Sequence, residues 1–189
     1  HNDVPCDIYV KELSSGWAET YADPEHQQST PRGGSEHRLT PNAAPRARAR
    51  PDIYGTRVVW QEQSGTSDQD IYIADISTGA QPTIIVPNPN GFQSDPRIWG
   101  ETVVWITILT GPSSVYMYDI STKAVFPVSG IPADQANAAV WGDRIVWQDA
   151  RLMQGFDIFL YQSYFGMVVG DIKEMWPYGS EDWSRTRPF

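Results

Sequence analysis

The chain has 189 residues, of which 40% are hydrophobic and 12% aromatic, and its formal net charge is −9. This composition predicts a folded domain with a buried core rather than a disordered chain. The acidic balance argues against nucleic acid and against insertion into an anionic membrane, because phosphate groups would be repelled. No apolar run approaches the roughly 18 residues of a transmembrane helix. The single cysteine, Cys6, excludes an intramolecular disulfide and a cysteine-based zinc site.

The first predicted strand lies in DIYVKELSSG (7–16), a phrase that returns with changes at 70–79, 114–123 and 157–166. The first two copies are about 20 residues further apart than the later ones. The excess falls in a polar stretch rich in Pro, Gly and Ser, 17–38, which is predicted to be a long surface loop.

A short basic segment follows the inserted loop. Its three arginines, Arg46, Arg48 and Arg50, alternate with small residues. They are predicted to lie on a solvated strand edge or loop, in preference to forming an anion site.

The next elements form a unit of four short strands, A to D. Strand A is PDIY (51–54), and a two-residue turn beginning with glycine separates it from strand B, RVVWQ (57–61). Strand C is DIYIADI (70–76), and strand D is PTIIV (82–86) after an STG corner. Glycine is expected to adopt positive φ in both turns. In the following unit Lys123 replaces the corner glycine, at a cost of about 1–2 kcal/mol if the left-handed conformation is kept.

The unit returns with strand A at 96–99 and 138–141, and its tryptophans, Trp60, Trp105 and Trp147, are 45 and 42 residues apart. A fixed period of this length indicates a repeat architecture. Strand B is a near-continuous apolar run, as expected of a strand buried on both faces. The sequence therefore favours an all-β fold of four-stranded β-propeller blades over its rival, a β-sandwich. The side chains predicted to be buried are Val58, Trp60, Val103, Trp105, Ile145 and Trp147.

The paired phrases P-x-I-x-G-x-x-V-V-W-Q and D-I-Y-x-x-D-I-S-T-G resemble the repeats of TolB-type β-propellers. The resemblance covers residues 6–16 and roughly 36–161. This family occurs in periplasmic and cell-surface proteins of bacteria and archaea, so the resemblance implies an extracellular, cell-surface or periplasmic location. Its propellers serve as binding and scaffold modules, which implies that the protein is not an enzyme.

The units amount to about three and a half repeats of 42–45 residues in one propeller-repeat domain, 1–165. Closed propellers usually have about four to eight blades, so an open or partial propeller with uncovered edges is predicted. These edges are expected to pair with a second copy, with another protein chain, or with the divergent aromatic C-terminal tail, 166–189. The predicted interface residues of the tail are Trp176, Tyr178, Trp183 and Phe189.

No string of residues matches a known catalytic motif, so no catalytic residue, cofactor or metal ligand is predicted. Asp68 and Asp70 have the chemistry of calcium ligands, but a structural role at the start of a strand is favoured. Tyr54, Trp99 and Trp141 each precede a turn glycine and would line one rim of a propeller. Such a rim could stack on sugars or apolar ligands, although packing between neighbouring blades is the favoured explanation.

Three functions are compatible with these observations. The first is a non-enzymatic extracellular or cell-surface module that makes protein–protein contacts in an assembly. The second is a carbohydrate-binding propeller that uses the aromatic rim to bind a glycan. The third is a fragment of a larger propeller-containing enzyme.

Overall fold

The computed structural model describes residues 6–11, 36–40, 46–63, 68–85, 91–109, 111–152 and 155–162. Within these ranges the chain forms thirteen β-strands and no helix, so this part holds no apolar helix of membrane-spanning length. The strands are β1 (Tyr9–Lys11), β2 (Glu36–Arg38), β3 (Arg48–Tyr54), β4 (Arg57–Gln63), β5 (Gln69–Asp75), β6 (Thr83–Ile84), β7 (Phe92–Trp99), β8 (Thr102–Ile108), β9 (Ser114–Asp119), β10 (Ala124–Pro127), β11 (Gln135–Trp141), β12 (Arg144–Asp149) and β13 (Asp157–Gln162).

The strands form four antiparallel blades in chain order. Blades 2 and 3 are complete and consist of β3–β6 and β7–β10 in the predicted order A, B, C, D. Blade 1 contributes strands C and D as β1 and β2, and blade 4 contributes strands A, B and C as β11–β13. A single parallel bridge, Gln69 with Phe92, links blades 2 and 3. The described strands do not close into a ring, which confirms the predicted all-β partial propeller.

Strand D of blade 1 overlaps the end of the predicted loop. Residues 36–38 belong to the predicted loop 17–38, but as β2 they pair with β1, with Arg38 opposite Tyr9. The same pairing holds Ile84 opposite Tyr72 in blade 2. The loop prediction is therefore wrong for these three residues, because the polar strand EHR has no apolar alternation that sequence patterns could detect. The rest of the predicted loop, 17–35, lies outside the described residues.

The predicted glycine turns are confirmed. Gly55, Gly100 and Gly142 begin the turns between strands A and B with φ of 58°, 58° and 61°. Gly79 occupies the corner between strands C and D at φ 64°, and Lys123 keeps the same left-handed conformation at φ 60°. Blade 3 therefore carries a conformational strain at Lys123 that blade 2 avoids.

Each strand A contains a β-bulge that the sequence analysis did not anticipate. The register between strands A and B shifts at equivalent places in blades 2, 3 and 4. One residue inside each bulge has positive φ: Arg50 at 55°, Asp95 at 54° and Asn137 at 52°. A bulge bends and twists its strand more strongly, so all three strands A bend at the same level of the blades.

The core lies between blades rather than within one sheet. Three buried clusters separate blades 1 and 2, blades 2 and 3, and blades 3 and 4. Each central tryptophan stacks on the aromatic ring opposite it on strand C, with ring centroids 5.9–6.1 Å apart. The six side chains predicted to be buried all lie in these clusters, at 2% exposure or less, which confirms the prediction: Val58, Trp60, Val103, Trp105, Ile145 and Trp147.

Candidate functional site

The predicted rim residues Tyr54, Trp99 and Trp141 form a continuous row at the ends of three successive strands A. The ring centroids of Tyr54 and Trp99 are 4.8 Å apart with planes tilted by 51°. Those of Trp99 and Trp141 are 5.3 Å apart with a tilt of 45°. Tyr54 is 39% exposed, Trp141 is 62% exposed and Trp99 is half-buried between them. We call these three residues the aromatic row.

Charged groups border the aromatic row in opposite-sign pairs. Arg57 lies across the strand pair from Tyr54, and its Nη1 donates to Glu101 Oε1 at 2.5 Å, in the turn of the next blade. Arg144 lies opposite Trp141, with its Nε 3.8 Å from Asp143 Oδ1. Asp75 lies opposite Arg57 on the other side, so the groups at this end of the blades form hydrogen bonds and carry no net positive charge.

A second exposed surface lies on blade 4, on the side turned away from blade 3. Val146 is 38% exposed and Ile158 is 60% exposed. The equivalent residues of blade 3, Val104 and Val115, are fully buried against blade 4. We call this side of blade 4, which includes the half-buried Leu160, the open face. Its side chains are of the apolar type that packs against a following blade, and the described structure contains no following blade.

A buried polar latch fastens each blade to the one before it. The latch residue lies 12 positions before each central tryptophan: Arg48, Gln93 and Gln135. The side-chain carbonyl of Gln93 accepts from the backbone N–H of Ile71 at 3.3 Å. That of Gln135 accepts from Val115 at 2.8 Å. Each latch therefore holds strand C of the preceding blade.

The latch of blade 2 differs because arginine can only donate hydrogen bonds. Arg48 Nη1 donates to the carbonyl oxygen of Cys6 at 3.0 Å, and the hydroxyl of Thr40 accepts from the N–H of Ile8 instead, at 3.3 Å. Arg48 also forms a buried two-point ion pair with Glu62, at 2.8 and 3.2 Å. The prediction that the basic segment is solvated is thus wrong for Arg48, whereas Arg50 remains exposed beside Asp95.

The central tryptophans complete the latches. Each indole N–H donates to the residue two positions later: Trp60 to Glu62 at 3.2 Å, Trp105 to Thr107 at 2.8 Å and Trp147 to Asp149 at 3.0 Å. The sequence analysis missed this network, because the latch is an arginine in blade 2 but a glutamine in blades 3 and 4, and the acceptor is Glu62, Thr107 or Asp149. Aligning the polar residues on the tryptophans would have revealed it.

Asp149 is the charged centre of the latch between blades 3 and 4. It is fully buried and accepts hydrogen bonds from Arg151, Trp147 and Gln135, at 2.5, 3.0 and 3.0 Å. Burial by itself raises the pKa of the Asp149 carboxyl, but the hydrogen bonds from Arg151 and Trp147 outweigh it and lower that pKa below its ordinary value. The Arg151 guanidinium lies 4.0 Å above the ring of Phe159. This carboxylate therefore has a structural role.

The remaining candidates are the disfavoured calcium site at Asp68 and Asp70 and the aromatic tail. Within the described ranges, no three His, Cys, Asp or Glu side chains are grouped so as to hold a metal ion. Asp70 is buried at the start of β5. The predicted interface residues of the tail lie outside the described residues: Trp176, Tyr178, Trp183 and Phe189.

No protein-family model and no curated protein sequence matches the chain. Solved structures do match. TolB from Acinetobacter baumannii is 17% identical with a TM-score of 0.54, over 70% of this chain and 33% of that one. A putative TolB from Agrobacterium tumefaciens is 17% identical with a TM-score of 0.52, over 69% of this chain and 50% of that one.

The β-propeller domain of the Trilobed protease from Pyrococcus furiosus, described as having an open velcro topology, is also similar. It is 14% identical with a TM-score of 0.56, over 70% of this chain and 40% of that one. The chain thus spans half or less of the length of each of these three structures. At this level of identity the comparisons establish the fold: the chain is a partial β-propeller, with a fold like that of the TolB propellers.

Proposed function

We propose that this protein is a non-enzymatic β-propeller module that makes protein–protein contacts through the uncovered sides of its end blades. One observation carries the proposal: Ile158 on the open face is 60% exposed, whereas Ile71 and Val115 at the same position are fully buried against the following blade. A side chain whose equivalents form a core, but which lies in water, gains free energy when a partner covers it.

The other end of the chain offers the complementary surface. Tyr9 of blade 1 is 54% exposed, although its equivalent Phe159 is buried. Ile53 of blade 2 is 52% exposed, although its equivalent Ile98 is buried. Tyr9 faces the position of a blade before blade 1, and Ile53 faces the position that strands A and B of blade 1 would occupy. The described structure therefore has two uncovered sides: the open face of blade 4, which would contact a following blade, and the side at blades 1 and 2, which would contact a preceding one.

A second copy placed head to tail would bring the open face against blade 1. Contacts between blades within the chain join these same two kinds of side, and blade 1 supplies strands C and D of the receiving side. Such a contact is heterologous, and it closes into a ring or extends into a filament depending on the rotation between copies. The partner is accordingly a second copy of the chain or another protein with the same blade surface.

Light scattering on the purified chain tests the proposal. We expect the wild type at micromolar concentration to exceed the monomer mass of 21.2 kDa, because the open face is covered in the assembly. The double variant Val146→Asp/Ile158→Asp should be monomeric. Val125→Asp is the matched control, since Val125 is as exposed as Val146 but lies on the edge strand of blade 3.

Two results would contradict this function. One is a folded wild-type chain that stays monomeric at these concentrations and remains so after removal of residues 170–189. The other is an assembly that the double variant leaves intact, because association would then use a different surface.

A second candidate is that the repeats form part of a longer propeller-containing protein. It is supported by the share of each match: the chain covers 33% of the A. baumannii TolB and 23% of an acylaminoacyl peptidase from Pyrococcus horikoshii, which has a TM-score of 0.55. Further blades of the same polypeptide would then cover the open face. An immunoblot of source cells discriminates the two, since a native protein much larger than 21.2 kDa favours this candidate.

We further propose that the module works outside the cytoplasm, in the periplasm, at the cell surface or in the medium. The likeness of its repeats to TolB supports this location. Fractionation of source cells tests it, and recovery of the protein with cytoplasmic markers would contradict it.

A further inference from the structure

We propose that the aromatic row, Tyr54, Trp99 and Trp141, is a binding site for a neutral oligosaccharide. This site is distinct from the open face, because the row lies at the turns between strands A and B, whereas the open face is the flat side of blade 4. The two inferences therefore stand or fall separately.

The geometry of the row favours a ligand over simple packing between blades. The central tryptophans Trp60, Trp105 and Trp147 show what packing does to an indole in this fold, since each is at most 1% exposed. Trp99, by contrast, has an aromatic neighbour on both sides and still keeps part of its surface in water. The row thus leaves ring surface uncovered even at its centre.

The tilt between the rings gives the row its shape. Planes inclined by 51° and 45° present ring faces at successive angles rather than one flat stack. Because each ring belongs to a different blade, a ligand that covers all three must be elongated. A chain of several sugar units meets this requirement, since each unit has an apolar face of C–H groups that can lie on an aromatic ring.

The surrounding charges disfavour an anionic ligand. Arg57 is matched by Glu101 and Arg144 by Asp143, and Asp75 lies opposite Arg57, so an anion would meet no net attraction. A sugar hydroxyl both donates and accepts hydrogen bonds, and it can therefore use the guanidinium and carboxylate groups at the edge of the row. Aromatic faces bordered by a few polar groups are typical of ligand sites.

Binding to an oligosaccharide array, followed by titration calorimetry, tests the proposal. The probes are the neutral hexasaccharides of glucose, xylose, mannose and N-acetylglucosamine, with an acidic hexauronate for comparison. We expect the full chain to bind at least one neutral probe, and Trp141→Ala to weaken its Kd about tenfold or more. Tyr54→Ala should weaken the Kd by a smaller factor, because less of that ring is exposed.

Phe156→Ala is the matched control for Trp141→Ala. Phe156 is 54% exposed on the same blade, but it precedes β13 and so lies at the opposite end of the blade from the row. This variant should bind as the wild type does. Trp141→Ala should also unfold at nearly the wild-type urea concentration, which separates lost binding from lost folding.

Three outcomes would overturn the proposal. They are binding to no neutral probe, binding that Trp141→Ala leaves unchanged, and preference for the hexauronate or for a proline-rich peptide over every neutral probe. The double variant Val146→Asp/Ile158→Asp should retain binding whether or not the wild type assembles, so failure of the proposed function would not mimic failure of this site.

Discussion

Blades 3 and 4 are made from the same phrases, yet they differ in what surrounds them. Blade 3 lies between two blades, and its Val104 and Val115 are fully buried. Among the described residues blade 4 has a neighbour on one side only, and the equivalent Val146 and Ile158 are exposed. The difference shows that the strand sequence specifies a two-sided blade, while the burial of each side depends on the next blade in the array.

The largest expected effect concerns a position that is buried in every blade. Trp60→Ala should lower the free energy of unfolding by about 3–5 kcal/mol, because it leaves a cavity between blades 1 and 2. Urea unfolding measures the change. Trp141→Ala, which removes an exposed indole, should cost about 0.5 kcal/mol or less. A loss below about 1 kcal/mol for Trp60→Ala would show that the first interface between blades contributes little.

The same substitution, isoleucine to alanine, can be made at a covered position of blade 2 and at the equivalent uncovered position of blade 4. Ile71→Ala should cost about 2–5 kcal/mol, as is usual for a buried isoleucine. Ile158→Ala at the equivalent position should cost about 0.5 kcal/mol or less in the monomer. Equal losses in urea unfolding of dilute protein would mean that the open face is covered in solution.

Acidification should weaken the interface between blades 3 and 4 through Asp149. The folded-state pKa of Asp149 lies below its ordinary value of 3.8, so the carboxylate stabilises the fold above that pH. This contribution is lost as the pH falls through the folded pKa. Urea unfolding from about pH 6 to about pH 3 should therefore show a steeper loss for the wild type than for Asp149→Asn. Identical slopes would contradict this assignment.

The smallest expected effect is a gain in stability within blade 3. Lys123→Gly should raise the free energy of unfolding by about 1 kcal/mol, because glycine adopts the left-handed conformation at this corner without the strain of a Cβ atom. Gly79→Ala, at the equivalent corner of blade 2, should lower it by about 1 kcal/mol. No change in either variant would mean that the corners relax when substituted.

Much of this architecture could be predicted from the sequence, because it depends on features that repeat in identity. The turn glycines and the central tryptophans recur as the same residue type, and they correctly locate the strands and the core. The aromatic row was also located, since Tyr54, Trp99 and Trp141 share one position in the repeat. Whether these rings touch depends on the distance between blades, which only the structure gives.

The sequence analysis did not find the latch and bulge positions, whose role recurs in each blade while the residue type varies. The latch positions hold Arg48, Gln93 and Gln135, and an arginine in a basic segment was interpreted as solvated because charged residues are seldom buried. Burial of Arg48 depends on Glu62, which the antiparallel pairing of β3 and β4 brings opposite it. The bulge residues, such as Asp95 and Asn137, likewise share a backbone conformation rather than a side chain.

The donor-only chemistry of Arg48 has a consequence for how such arrays can grow. A glutamine at the latch position accepts a hydrogen bond from a backbone N–H of strand C, as Gln93 and Gln135 do. A blade with this glutamine can therefore follow any blade whose strand C has that N–H available. A blade that begins with Arg48 needs a carbonyl oxygen and a substitute acceptor such as Thr40 in the blade before it. Tandem duplication of blade 3 should therefore give an array with matched junctions, whereas duplication of blade 2 should leave the backbone N–H of Ile71 without an acceptor at the new junction. Blade 3 is the natural building block for extending this protein by design.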